Sequence, residues 1–180
     1  MQISVNTAGL EKYRKALASI ETGAKPAIAR AMNRGVKSGL TAVSKGVREK
    51  YLISKGHLDG TFSQKYASGG DLRAEIRSKH TGMLRLSDFR VRPKARPKRA
   101  KALTATVRKG QGGTLGRAFW AKGRIFARTG DTSYPLKELF GVSAPIMVSQ
   151  SDVGEPAHDR IVEIFDKRLD YEMGRLMAKS

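Results

Sequence analysis

The sequence predicts an α+β fold: helices at the start, a small antiparallel β-sheet with basic loops in the middle, and a helix at the end. Three observations predict it. Apolar residues recur at helical spacing over 10–51 and 156–178. Between 71 and 128 they switch to strict alternation with polar residues, the pattern of strands with one wet face. The positive charge is concentrated in that alternating region, where 17 Lys and Arg from Arg73 to Arg128 face two acids, Glu75 and Asp88. With 180 residues, 39% of them hydrophobic, the chain can build one ordinary domain with a real core. A single domain over 1–180 is therefore expected. It has a helical part over 1–53, a β-sheet part over 71–150 and a C-terminal helix over 156–178.

The elements follow in order. Asn6 or Thr7 caps a short first helix on which Leu10, Tyr13, Leu17 and Ile20 fall at helical spacing. Gly23 breaks the chain, and Pro26 suits the first turn of a second helix over 26–51. Ile28, Met32, Val36, Leu40, Val43, Val47 and Tyr51 form its apolar stripe. Beside them lie Ala31, Gly35, Gly39, Ala42 and Gly46. The glycines cost about 1 kcal/mol each relative to Ala, so close packing against another backbone, within the chain or between subunits, is the expected compensation. Residues 54–70, with four glycines, read as a loop. Strands are expected around Leu72, Ala74 and Ile76, around Leu84 to Phe89, and around Leu103, Ala105 and Val107. Two more are expected at 119–121 and 125–127. Gly110 to Gly116 reads as a mobile connection, 134–141 as a turn of helix or an ordered loop, and 144–148 as an extended piece. The last helix has Ile161, Phe165, Leu169, Met173 and Leu176 on one face. Glu155 and Asp159 near its start and Arg175 and Lys179 near its end complement its dipole.

Composition excludes several classes of function. The chain has no cysteine, which removes disulfides, thiolate zinc sites and Cys nucleophiles. Residues 1–6 have no basic region followed by an apolar stretch, so no leader is expected. No apolar run approaches the roughly 18 residues that cross a bilayer, so no membrane partner is expected. His57, His80 and His158 share no metal-ligand spacing. Asp166 and Asp170 are separated by Lys167 and Arg168 and read as a solvated helix face. Glu138 beside Lys137 reads as an interface ion pair. The Gly110–Gly116 segment lacks the Gly-Lys-Ser/Thr ending of a phosphate-binding loop. A non-catalytic protein without cofactor or metal is the expectation.

What remains is charge: 35 Lys and Arg against 16 Asp and Glu, a formal +19. A field of that size draws polyanions. Its densest part, RVRPKARPKRAK over 90–101, has seven basic residues: Arg90, Arg92, Lys94, Arg96, Lys98, Arg99 and Lys101. One reading is a solvated flexible loop. The other is a phosphate-backbone contact, in which prolines hold the strip extended and alternate cations track DNA or another polyanion without sequence preference. Phe119, Trp120 and Phe126 lie among Arg117, Lys122, Arg124 and Arg128. They read either as a stacking platform for bases or as core residues of the sheet.

Ala118-Phe119-Trp120-Ala121, then Ile125-Phe126-Ala127-Arg128, then Pro135-Leu136-Lys137-Glu138-Leu139-Phe140-Gly141-Val142-Ser143-Ala144-Pro145-Ile146-Met147 resembles the phage minor tail protein Z family. That family shows a strand with an F-x-R ending and an I/L-x-x-L-x-G-x-S-x-P element before a C-terminal helix. The N-terminal helices ending at Tyr51 and the Leu84–Phe89 segment are similar as well, so the resemblance spans nearly the whole chain. It implies a structural protein of the virion that completes the head-proximal end of a long-tailed bacteriophage tail and the head–tail junction. Such a protein is assembled in the host cytoplasm, with a fold like that of small neck and tail ring proteins. The implied partners are further copies of itself in a ring (a hexamer by analogy with related tail rings), other tail or neck proteins, and DNA in the lumen. Tyr134, Leu136, Leu139 and Phe140 are the candidate subunit interface, or else they pack over their own sheet. The alternative to the tail reading is a stand-alone, sequence-nonspecific nucleic-acid-binding protein.

Overall fold

Residues 2–4, 23–79, 82–99 and 101–178 are described by a computed structural model, and the helix expected over 10–20 lies outside them. The fold is α+β. The described residues divide into two compact units. A helical unit draws on Met1–Val43, Phe62–Lys79 and Ser149–Ser180, and a β unit on Ser44–Thr61 and His80–Val148. The C-terminal helix of the expected organisation belongs to the helical unit, and most of the expected β part to the β unit. The long N-terminal helix contributes to both.

In the helical unit, β1 (Gln2–Ser4), β2 (Phe62–Lys65) and β3 (Glu75–Ser78) form an antiparallel sheet in the order β1-β3-β2. Ile76 lies opposite both Ile3 and Gln64. The two long helices are α1 (Ala24–Lys50) and one formed by Ser151–Met177. On α1, Ile28, Met32, Val36 and Val43 are buried, as the apolar spacing predicts. On the Ser151–Met177 helix, Ile161, Phe165, Leu169 and Met173 are buried. The small residues of α1 are where that second helix seats. A Cβ on Gly35 would lie 3.1 Å from the Ile161 carbonyl oxygen, and one on Gly39 only 2.2 Å from Ile161 Cγ1. Close packing within the unit is thus what offsets the low helix propensity of these glycines.

One charge lies inside this packing. The Glu172 side chain is 1% exposed and its Oε2 accepts hydrogen bonds from Arg30 Nε at 2.9 Å and Nη2 at 2.7 Å. Arg168 Nη2 lies 2.8 Å from the other oxygen. The Arg30 hydrogen bonds, helped by the positive field of Arg30, Arg168 and Arg175, hold the Glu172 carboxyl below the usual range against the opposing effect of burial.

The β unit contains α2 (Lys55–Gly60), β4 (Arg90–Arg92), β5 (Leu103–Arg108), β6 (Gln111–Leu115), β7 (Ala118–Ala121), β8 (Arg124–Arg128), β9 (Leu136–Glu138) and α3 (Ala144–Ser149, its last residue counted with the helical unit). The Ser151–Met177 helix is α4. Two antiparallel sheets, β4-β5-β6 and β7-β8-β9, share a core of Leu86, Val91, Leu103, Ala105 and Ile125, with Trp120, Leu115 and Leu139 packed against it.

Several expectations are corrected here. The span 54–70 is not one loop. Ser54 Oγ accepts from the His57 backbone N–H and so caps α2, Leu58 is wholly buried, and β2 follows. The glycines had hidden both elements. Leu84–Phe89 is not a strand but surrounds a single 3₁₀ turn, Leu86–Asp88. Gly110–Gly116 is no mobile connection: its centre is β6, fully paired along β5. Residues 136–138 are a strand rather than a turn of helix, and 144–148 are helical rather than extended. The last helix begins at Ser151, where the Gln150 carbonyl accepts from Val153 and Gly154, so Pro156 falls inside it and its first-turn acid is Asp152. The basic loop over 90–101 begins as a strand, since Arg90–Arg92 pairs with β5.

Candidate nucleic-acid interface

The β unit draws 19 Lys and Arg and 5 acids from the sequence, while the helical unit draws 16 and 11. Strand alternation decides where the cations go. Val91 is buried in the core, so Arg90 and Arg92 project from the other face of β4, opposite Thr106 and Thr104. Gly112 lies across from Thr106, and a Cβ there would be 2.5 Å from Thr106 Oγ1. This outer face, with Lys109 at the turn, lines a shallow concavity of about 630 Å³. Guanidinium and hydroxyl groups together match the donors that most often contact phosphate oxygens.

Two further grooves lie in the same unit. One, of about 710 Å³, is bordered by Arg48, Lys109, Arg90, Arg92 and Lys94, with His57 Nδ1 3.5 Å from Asp88 Oδ1 on its wall. The other, of about 890 Å³, sets Arg96, Lys98, Arg99 and Lys101 against Arg117, just before β7, and Arg128 of β8. Its one acid, Asp131, is ion-paired with Arg117. Trp120 borders both grooves, and its indole N–H donates to the Pro93 carbonyl at 2.9 Å, which ties the start of the basic strip to the sheet. Among the described residues, no ion pair engages Arg90, Arg92, Lys94 or the four cations from Arg96 to Lys101.

The seven cations expected to act as one strip are therefore divided. Arg90, Arg92 and Lys94 face one side, and Arg96, Lys98, Arg99 and Lys101 line a separate groove. The division falls between Lys94 and Arg96, in the loop that follows the end of β4 at Arg92. Arg48, Lys109, Arg117 and Arg128 join these sets without having been singled out as contacts. Arg117 and Arg128 were signalled by their place around the aromatic run. Arg48 and Lys109 come together only through backbone pairing, Lys109 N–H donating to the Lys50 carbonyl at 2.7 Å.

The candidate interface residues also divide. Tyr134 is 75% exposed, Phe140 46% and Leu136 37%. Leu139 instead packs on the core of the β unit, its N–H donating to the Ile125 carbonyl, and so leaves that candidate surface. Glu138 pairs with Arg124 at 3.3 Å and Arg85 at 3.7 Å of the same unit, not with Lys137. In the resembling element, Gly141 is fixed by packing, because a Cβ there would meet Phe89 Cε2 at 2.5 Å. Ser143 is buried, and its carbonyl accepts the Met147 N–H in α3.

Protein-family models, curated proteins and solved structures give no match to this chain. Among the described residues no cluster of three or more His, Asp or Glu is arranged to hold a metal ion, and no helix is long and apolar enough to cross a membrane.

Proposed function

We propose that this chain is a non-catalytic structural protein that holds a polyanion, DNA above all, on its β unit. We further propose that its setting is the head-proximal end of a phage tail, as a ring with other tail or neck proteins around it. The observation that carries the first part is the set of cations left without an acid partner along the β unit's grooves and outer sheet face. A fold gains nothing from such crowding of like charge unless a partner neutralises it. The resemblance of 118–150 to the minor tail protein Z family supports the second part. Exposed Tyr134, Leu136 and Phe140 offer apolar area for a subunit contact. Ring closure would present the same basic grooves at each symmetric position, so weak single contacts would add up along the lumen.

Light scattering across a salt series, with and without duplex DNA, tests this. A discrete oligomer of several subunits, formed alone or on adding DNA, is the expected result. A monomer that ignores DNA even at low salt overturns both parts. A monomer that binds DNA with steep salt dependence favours the second reading, a stand-alone nucleic-acid binder, for which the same unpaired cations speak.

A further inference from the structure

The β7–β8 ribbon has two faces, and only one belongs to the core. In its register Trp120 pairs with Ile125 and Phe119 with Phe126. Ile125 is 1% exposed and Trp120 packs against the same cluster, so that pair points inward. Alternation then sends Phe119 and Phe126 to the opposite face. Their ring centroids lie 6.5 Å apart, tilted by 33°, and both side chains are only half-buried. The Arg128 guanidinium lies over Phe119, 5.2 Å from its centroid. Phe119 itself lines the 890 Å³ groove, facing the strip from Arg96 to Lys101.

A groove for duplex DNA needs cations only, since a duplex hides the faces of its bases. A groove that adds an outward aromatic ring and a stacked guanidinium offers what an unpaired base seeks: a flat, polarisable surface next to cations for the adjoining phosphates. We propose that this groove takes single-stranded nucleic acid. One unpaired base stacks at the Phe119–Arg128 pair, and the flanking phosphates lie on Arg96, Lys98, Arg99 and Lys101. This rests on the polyanion reading above and narrows it to the single strand.

The test measures fluorescence anisotropy of a labelled oligo-dT and of a duplex of equal length, at matched salt. It compares the wild type, Phe119→Leu, Arg128→Lys, and the fourfold change of Arg96, Lys98, Arg99 and Lys101 to Gln. Phe119→Leu keeps apolar bulk and removes the π-face. Arg128→Lys keeps the charge, removes the planar stack, and alters an exposed side chain. The wild type is expected to prefer the single strand. Phe119→Leu should weaken single-strand binding by about five- to a hundredfold, leaving duplex binding and the salt slope unchanged. Arg128→Lys should show a smaller loss of the same selectivity. The fourfold variant should weaken binding of both ligands, the duplex roughly a hundredfold, and reduce the salt dependence. Equal affinity for the two ligands, with neither Phe119→Leu nor Arg128→Lys separating them, overturns the stacking site while the polyanion reading stands. Failure of the wild type to bind either ligand at low salt overturns both.

Discussion

The two units use their cations in opposite ways. In the helical unit several basic side chains meet acids: Arg30 and Arg168 meet Glu172, Arg160 and Lys167 meet Glu163, and Lys65 meets Asp71. Hydrogen bonds from these cations, Arg30 to Glu172, Lys167 and Arg160 to Glu163, and Lys65 to Asp71, hold all three carboxyls below their usual range. In the β unit the few acids engage Lys45, Lys55, His57, Arg85, Arg117 and Arg124, and the strip from Arg90 to Lys101 is left facing open grooves. Charge in the first unit serves the fold. Charge in the second is available to something outside the chain.

The largest effect expected concerns packing in the helical unit. Gly39→Val places two methyl groups where a single Cβ would already be 2.2 Å from Ile161 Cγ1. Either α4 or its side chain must shift, and a loss of about 3 kcal/mol in urea unfolding is expected. DNA affinity at a temperature where the variant is folded should not change. An equal fall in affinity would mean that the division of labour between the units is wrong.

Next comes the neutralisation of the β unit. Changing Arg96, Lys98, Arg99 and Lys101 to Gln should lower duplex affinity roughly a hundredfold at moderate salt and reduce the log–log salt slope by about 3.6, that is 0.9 per contact. Thermal stability should stay level or rise, because like-charge repulsion is relieved. Neutralising four cations of the helical unit (Lys65, Arg77, Arg160 and Lys167) is the matched control and should leave affinity unchanged. A similar affinity loss from both sets would reduce the comparison to net charge alone.

These two experiments probe features that differ in how far they can be read from sequence. The helix stripe on α1 and the α4 face are written in a period that one helix imposes by itself, so Ile28, Met32, Val36, Phe165 and Leu169 were legible. Strands β5, β7 and β8 were legible for the same reason, through alternation. What was not legible depends on partners. Strand β6 is glycine-rich and has almost no apolar pattern, and it exists because β5 pairs with it. Leu139 looks like its exposed neighbours until its backbone bonds to Ile125. The basic strip was plain in the sequence, but its division between Lys94 and Arg96, and the companionship of Arg117 and Arg128, follow from the fold.

Glu172 gives the third prediction, on the paired side of the comparison. Glu172→Gln leaves Arg30 and Arg168 beside a neutral amide, and a loss of about 2 kcal/mol is expected at neutral pH, moderated by the partial exposure of both arginines. The sign of the pH dependence is fixed. Because the folded carboxyl titrates below its unfolded value, its contribution is complete above about pH 4.3 and disappears as the pH falls through the lower folded value. Denaturant midpoints of wild type and variant should therefore converge as the pH falls from about 4.3, the ordinary glutamate value, through the lower folded one. A gap that persists at low pH would place the effect in packing rather than in charge.

The smallest effect separates charge from stability inside the β unit itself. The β7–β8 hairpin turns on Lys122 and Gly123, with φ of 49° and 72°. Both angles are positive, as a type I′ hairpin turn requires, and Gly123 accepts this freely. Lys122 does not, since a side chain with a Cβ is disfavoured there and Asn is the residue that tolerates it best. Lys122→Asn should therefore raise stability by about 0.5 kcal/mol. It also removes one positive charge, on the turn between β7 and β8. If that charge adds to the field felt by a polyanion, affinity should fall slightly while stability rises. A gain in stability with no loss of affinity would limit the working field to the grooves themselves. A loss of stability would mean that Lys122 has a structural task, and that the β unit, like the helical one, ties some of its charge to the fold.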